Sequence, residues 1–369
     1  MLKDSGQGVY LLKSLKETML AGRDAVESDI LEARAEIYRR VRLFFDERGY
    51  LELDTPLLSP DLIPETCLEV FKTEFISAHS GVKPRELYLI PSPEIWMKRV
   101  IADTGRSVYQ ICKCFRNYES TGRMHNPEFT MLEYYTMNAG YLDSLAITEE
   151  LFGKLLNEPL PGSFQEAADY DALRPPFVRL TMEEAFCRYA GFSLNDALAA
   201  GTLAAEAGRL GLNMPPGTDD GTLYNLIFIH AVEGKLHDKR PVVLLDYPAA
   251  VPCLAALNPA EERKSATRQR WELYVRGIET ANCYTEETDA AKINAYFKTE
   301  SELKRRSARV IHHIDAEYWK IFLPKIAQGG HSRPFPCCSG VAIGMDRLIM
   351  VLLGRTCIDA VLPFQSVFE

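Results

Sequence analysis

Apolar Ile30, Ala33, Ile37, Val41 and Phe44 recur at three- and four-residue spacing after Asp29, with charged positions between them. That period predicts an amphipathic helix, which Gly49 ends. "YLELDTP" then predicts a strand stopped by Pro56. "RELYLIPSPEIWMKRVI" predicts a strand, a turn and a helix, with Ser92 as cap, Pro93 at the first helical position and Glu94 in the first turn. "SVYQICKCFRN" and "EFTMLEYYTM" predict a hairpin whose polar tip spans about eight to ten residues.

Between about residues 150 and 240 the pattern turns helical and Pro/Gly-rich, which predicts a mostly helical insertion between two parts of one sheet. "RPVVLLDYP" predicts a buried strand, and "RWELYVRGIETANCYTE" a strand that turns irregular. "TDAAKINAYFKTESELKRRS" predicts a charged helix with a mostly solvated face. "CCSGVAIGMDRLIMVLLG" predicts a Gly-flanked strand, a turn and a helix stopped by Gly354. Hairpin-linked strands imply a mainly antiparallel sheet flanked by helices, an α+β plan. Residues 1–27 predict a polar extension, and residues 28–369 the main domain.

Composition narrows this further. The 369 residues suit one large domain or two ordinary ones. A net charge of -9 argues against broad non-specific binding to nucleic acid. The apolar runs are too short to span a bilayer, and the first twenty residues lack a signal-peptide core, so a cytoplasmic protein with no membrane partner is expected. The nine cysteines form no Cys-x-x-Cys pair, which argues against structural zinc.

Four patches carry candidate chemistry. On the hairpin, Gln110, Cys112, Cys114 and Arg116 share one face of the first strand. Phe129, Met131, Glu133 and Tyr135 share one face of the second. An arginine suits a phosphate or carboxylate, a ring suits a nucleobase, and a carboxylate suits an ammonium. An exposed hairpin with cross-strand pairs explains the same residues. Ser92 and Glu94 read first as a helix cap and an acid favoured by the helix dipole, and only second as polar ligands. Glu279 and Glu286 can hold Mg²⁺ if a bulge brings them to one face; otherwise they are surface acids. Arg347 falls in the first turn of a helix, where a cation is disfavoured unless an anion is near. The usual phosphate-loop motifs are absent.

In this order the patches resemble the three signature motifs of class II aminoacyl-tRNA synthetases. The helix and strand up to Pro56 look like the dimer-forming first motif. "CFRN…RMHNPEFTMLEYY" looks like the second and "GVAIGMDR" like the third. "SPE…MKR", "HNPEFTMLE" and "GIETAN" resemble the lysine type. Fewer than thirty residues precede the first motif, too few for an anticodon-binding barrel. Ala342 stands where tRNA-charging lysine enzymes usually have glycine. The chain therefore resembles the free-standing lysyl-tRNA synthetase paralogues that modify elongation factor P.

That resemblance implies ATP and Mg²⁺ as cofactors, and lysine or (R)-β-lysine as substrate. It further implies elongation factor P as acceptor and a homodimer, with tRNA not expected as a partner. It implies Arg116 and Arg347 as catalytic residues, with Asn117, His125, Asn126, Phe129, Glu279, Thr280 and Gly344 also at ATP. It implies Ser92, Pro93, Glu94, Glu133, Tyr135, Asn282, Glu286 and Ala342 at the substrate, and Glu279 and Glu286 at the metal. Family members read Phe-Arg-Asn-Glu where this chain reads Phe115-Arg116-Asn117-Tyr118-Glu119, so either Tyr118 or Glu119 fills the ATP-contacting position. Rival readings are a truncated synthetase charging a tRNA or another carrier, and an inactive paralogue that binds lysine or ATP.

Overall fold

The computed structural model describes residues 27–79, 81–118, 122–162, 164, 168–259, 266–326 and 332–364. The extension before residue 27, and Glu119, lie outside the described residues. Helix α1 (Ser28–Glu47) buries Ile30, Ala33, Ile37, Val41 and Phe44, the face its period predicts. The chain leaves it through Gly49 at φ +71°, a left-handed conformation that costs glycine no Cβ clash.

There follow β1 (Leu51–Glu52), β2 (Leu58–Ser59), β3 (Lys72–Phe75), β4 (Arg85–Leu89), α2 (Glu94–Thr104), β5 (Val108–Phe115), β6 (Glu128–Met137) and α3 (Tyr141–Leu156). Next come β7 (Val178–Thr181), α4 (Leu194–Ala200), α5 (Leu203–Arg209), α6 (Asp220–Ile227), β8 (Val242–Pro248), β9 (Thr267–Val275) and β10 (Ile278–Thr285). The described chain closes with α7 (Ala290–Ser307), β11 (Lys325–Ile326), β12 (Ser332–Arg333), β13 (Cys338–Gly344) and α8 (Met345–Leu352). No described helix is long and apolar enough to cross a membrane.

Eight strands form one sheet in the order β1-β5-β6-β13-β10-β9-β8-β7. The outermost pairs, β1–β5 and β7–β8, are parallel, and the inner pairs are antiparallel. This is the α+β plan read from the sequence. Alternation gives the sheet two unlike faces. One face sends Tyr109, Tyr134, Val341, Cys283 and Trp271 into the core beneath α1, α3 and α8. Each such side chain contributes roughly 1.5–3 kcal/mol by leaving water. The other face carries a continuous row, Gln110, Glu133, Ala342, Asn282 and Glu272, directly paired from strand to strand.

Three local expectations change. The segment taken as a helical insertion also supplies strand β7, too short to show a period between Pro176 and the helix at Met182–Ala185. It buries its own cluster, including Phe186, Leu203, Tyr224 and Leu236, against Leu244 and Tyr274 of the sheet. The stretch read as one strand turning irregular is two strands. Arg276 (φ +55°) and Gly277 (φ +76°) make a two-residue reverse turn whose twist suits a hairpin. Helix α7 is less solvated than expected. Its Glu300 accepts the Thr66 N–H at 3.1 Å, and buried Lys304 donates to the Glu65 carbonyl at 2.8 Å.

Asp346, in the first turn of α8, locks three elements together. One oxygen accepts Arg34 of α1 at 2.7 Å, and the other accepts the Thr130 N–H of β6 at 2.7 Å. Both charged side chains are buried. Asp346→Ala leaves the Arg34 cation uncompensated, so a loss of about 3–5 kcal/mol in unfolding free energy is expected. Denaturant titration checks this, and a loss below about 1 kcal/mol would contradict the assignment.

Candidate active site

On the polar face lies an open cleft of about 160 Å³. Arg116, His125, Asn126, Phe129, Glu279, Thr280, Asn282, Ala342, Gly344 and Arg347 all line it. Residues from three distant stretches of sequence thus meet at the β6–β13–β10 junction. The Arg116 N–H donates to the Pro127 carbonyl at 2.9 Å, which closes the hairpin just beyond its paired strands. Its guanidinium carbon lies 5.1 Å from the centre of the Phe129 ring. Among the described residues, Arg116 Nε is buried without a hydrogen-bond partner. A buried donor left unpaired is costly, and an anion in the cleft would satisfy it.

Arg347 is more tightly held. It donates to the Glu279 carbonyl at 2.8 Å and the Met124 carbonyl at 3.2 Å, and its Nη2 meets His125 Nε2 at 2.9 Å. For that nitrogen to accept, His125 carries its proton on Nδ1. The guanidinium stands over the start of α8, where the helix dipole and free N–H groups also favour an anion.

Asn117 and Tyr118 do not line the cleft. The Asn117 N–H donates to the Glu69 carbonyl at 2.9 Å, and its Oδ1 accepts the Tyr118 N–H at 2.8 Å. Tyr118 has φ +56°, a costly conformation for a non-glycine residue. The turn aims its ring outward, where Arg309 stacks on it at 3.7 Å and donates to its hydroxyl at 2.5 Å. The Tyr118 ring is thus engaged at the surface.

Next to the cleft, along the same row, is a buried cluster of acids. The Ser92 hydroxyl donates to Glu133 at 2.7 Å while its oxygen accepts the Glu94 N–H at 3.1 Å; the cap position itself falls to Pro93, one residue later than expected, because the first helical bond is to the Pro93 carbonyl. Tyr135 donates to the other Glu133 oxygen at 2.6 Å. Gln110, opposite Glu133, is buried with its Oε1 unpartnered among the described residues. Pro93 is buried at the entry to α2. Sequence reasoning missed two residues here. Lys98, one turn after Glu94, bridges Glu94 and Glu286. Gly340 leaves room for both Glu286 and Tyr135: a Cβ there would stand 2.6 Å from each. The first had a signal, since Glu and Lys at i and i+4 pair on a helix, but nothing local showed that the pair is buried.

Burial, with the Glu94 charge second, pushes the Glu133 carboxyl up from 4.5 to about 7. Between those values the folded chain holds a proton that the unfolded chain has released, so stability falls as pH rises through that window. A cationic ligand needs the ionised form. Its KM should therefore fall roughly 10-fold from about pH 6 to pH 8, and Glu133→Gln should flatten the profile.

The pairing of β10 with β9 slips between Glu279 and Ala281, the bulge that two acids on one face require. Glu279 lines the cleft, whereas Glu286 is buried against Lys98. Among the described residues no group of three or more His, Cys, Asp or Glu is placed to hold a metal. Mg²⁺ commonly needs only one or two carboxylates when phosphates supply the rest, and Glu279 fits that role.

A mainly antiparallel sheet thus brings an arginine and a phenyl ring on one hairpin together with a second arginine at a strand-to-helix junction. The family model of class II tRNA synthetases (D, K and N) matches residues 12–367, and the chain belongs to that family. It is 36% identical over 344 residues to the elongation factor P–(R)-β-lysine ligase of Vibrio atlanticus, covering 90% of this chain and 94% of that protein. The proteins of the same name from Vibrio cholerae and Avibacterium paragallinarum are 35% and 34% identical over 337 residues, each with 94% of its length covered.

Proposed function

We propose that the chain activates (R)-β-lysine or lysine with ATP and transfers the acyl group to a lysine side chain of elongation factor P. One observation carries most of this reading. A buried cluster of acids suited to amines adjoins a cleft that holds an aromatic ring and an arginine whose Nε has no partner among the described residues. The named relatives supply the acceptor.

Phe129 stacks on adenine, Arg116 holds the α-phosphate and the substrate carboxylate, and Arg347 with His125 holds the outer phosphates. Asn126, Thr280 and Gly344 border the nucleotide. Ala342 and Asn282 separate it from the amine pocket, where Ser92, Glu94, Glu133, Tyr135 and Glu286 face the substrate's ammonium groups. Membership of the family implies use of ATP and Mg²⁺ in general. Glu279 would hold the metal, which would neutralise phosphate charge when bound.

The substrate carboxylate is ionised at neutral pH and needs no base. Its oxygen bonds to the α-phosphorus as the bond to pyrophosphate breaks. Arg116 and Arg347 stabilise the charge that develops there. In the second step the acceptor amine, having lost its proton, bonds to the acyl carbon and AMP leaves. Helix α1, with exposed Leu31 and Leu43, is the face expected between two copies.

The test is amino-acid-dependent ATP–pyrophosphate exchange with (R)-β-lysine, (S)-β-lysine, L-α-lysine and aspartate, followed by mass analysis of elongation factor P. Preference for (R)-β-lysine and a matching mass gain are expected. Exchange with aspartate alone, or acylation of tRNA instead, would overturn the reading.

A further inference from the structure

We propose that Lys98 is a positioning residue that sets the charge of the amine pocket to match a substrate with two ammonium groups. This rests on the diamino acid reading above. Lys98 is 1% exposed, and its Nζ lies 2.5 Å from Glu94 Oε1 and 2.5 Å from Glu286 Oε2. The rings of Tyr135 and Tyr284 flank it at 5.8 and 5.7 Å. With Glu133, three buried carboxylates face this single buried ammonium. Glu65 and Arg116, whose charges also reach the pocket, oppose one another.

Two consequences follow from the contacts. The Lys98 ammonium fills the space between Glu94 and Glu286, so no substrate amine can take it. Substrate amines are left with Glu133, held from its far side by Ser92 and Tyr135. Fully ionised, the three acids outnumber Lys98 by two; burial raises Glu133 to about 7 and Glu286 to about 8, so a diammonium ligand draws both to their ionised forms more fully than a monoamine does. Leaving a charge buried and unpaired is strongly unfavourable, so the mismatch becomes selectivity. Lys98 also joins an acid on α2 to one just after β10, which fixes the pocket's width.

Exchange kinetics with (R)-β-lysine and with 3-aminohexanoate, which lacks the second amine, test this in wild type, Lys98→Met and Lys98→Met/Glu286→Gln. Lys98→Met is expected to raise the diamine KM about 30-fold while the ATP KM stays within about 2-fold. The double variant, which restores the charge count, is expected to recover to within about 5-fold of wild type. Ethylammonium is expected to lower the raised KM of Lys98→Ala by refilling the vacated site. An unchanged diamine KM in Lys98→Met overturns the proposal, as does a double variant no better than the single. If Lys98→Met fails to fold, recovery of both melting temperature and KM in the double variant decides the matter. No diamine exchange in wild type would instead overturn the functional reading, and this inference with it.

Discussion

Arg116→Ala is expected to lower adenylate formation by about 10³-fold or more, the largest single loss in the site. Its guanidinium is the cleft cation whose buried Nε has no hydrogen-bond partner among the described residues, whereas Arg347 is already committed to two carbonyls and His125. An interaction reserved for the ligand is the kind that can strengthen as charge moves onto the α-phosphate. Stacking beside Phe129 holds the group in place at the cleft. Arg116→Lys keeps the charge but loses the planar fork, so about a 10²-fold loss is expected there. Single-turnover pyrophosphate exchange measures both. Activity within about 10-fold of wild type for the alanine variant would show that this arginine does not meet the reacting phosphate.

Gly340→Ala is expected to raise the amino acid KM about 100-fold and leave nucleotide binding nearly intact. The added methyl would stand 2.6 Å from Glu286 Oε1 and 2.6 Å from Tyr135 Cε1. Neither is free to yield. Glu286 is held by Lys98, and Tyr135 donates to Glu133. Displacing either breaks the buried polar network that receives the substrate's amines, and such networks fail as units. The nucleotide cleft takes nothing from Gly340, so ATP affinity by calorimetry should barely move. Equal losses in ATP and amino acid affinity would point to general disorder of β13 instead.

Periodicity made much of this architecture legible. The two same-face sets read on the hairpin strands are direct cross-strand partners: Gln110 with Glu133, Cys112 with Met131, and Cys114 with Phe129. Period-2 alternation is local, so it survives without knowledge of the fold. Most residues that line the open cleft were equally accessible through their motifs. The amine pocket was only half visible. Glu94 and Glu133 could be named, but Lys98 reaches Glu286 across 188 positions of sequence, and no local pattern reports that contact. The Arg276–Gly277 turn was missed because arginine is an uncommon first residue where two left-handed conformations are needed. Tyr118 looked like a candidate ligand by position alone; its backbone conformation sends it elsewhere.

The Asp346 carboxylate gives the molecule a common datum. It touches Arg34 on the outer helix and the backbone of β6, and the next residue along the chain is Arg347. With both oxygens engaged, α1, β6 and α8 cannot shift independently. A partner copy leaning on α1 would bear on Arg347, and a ligand drawing on that arginine would be felt along α1. Coupling of this sort works equally in both directions.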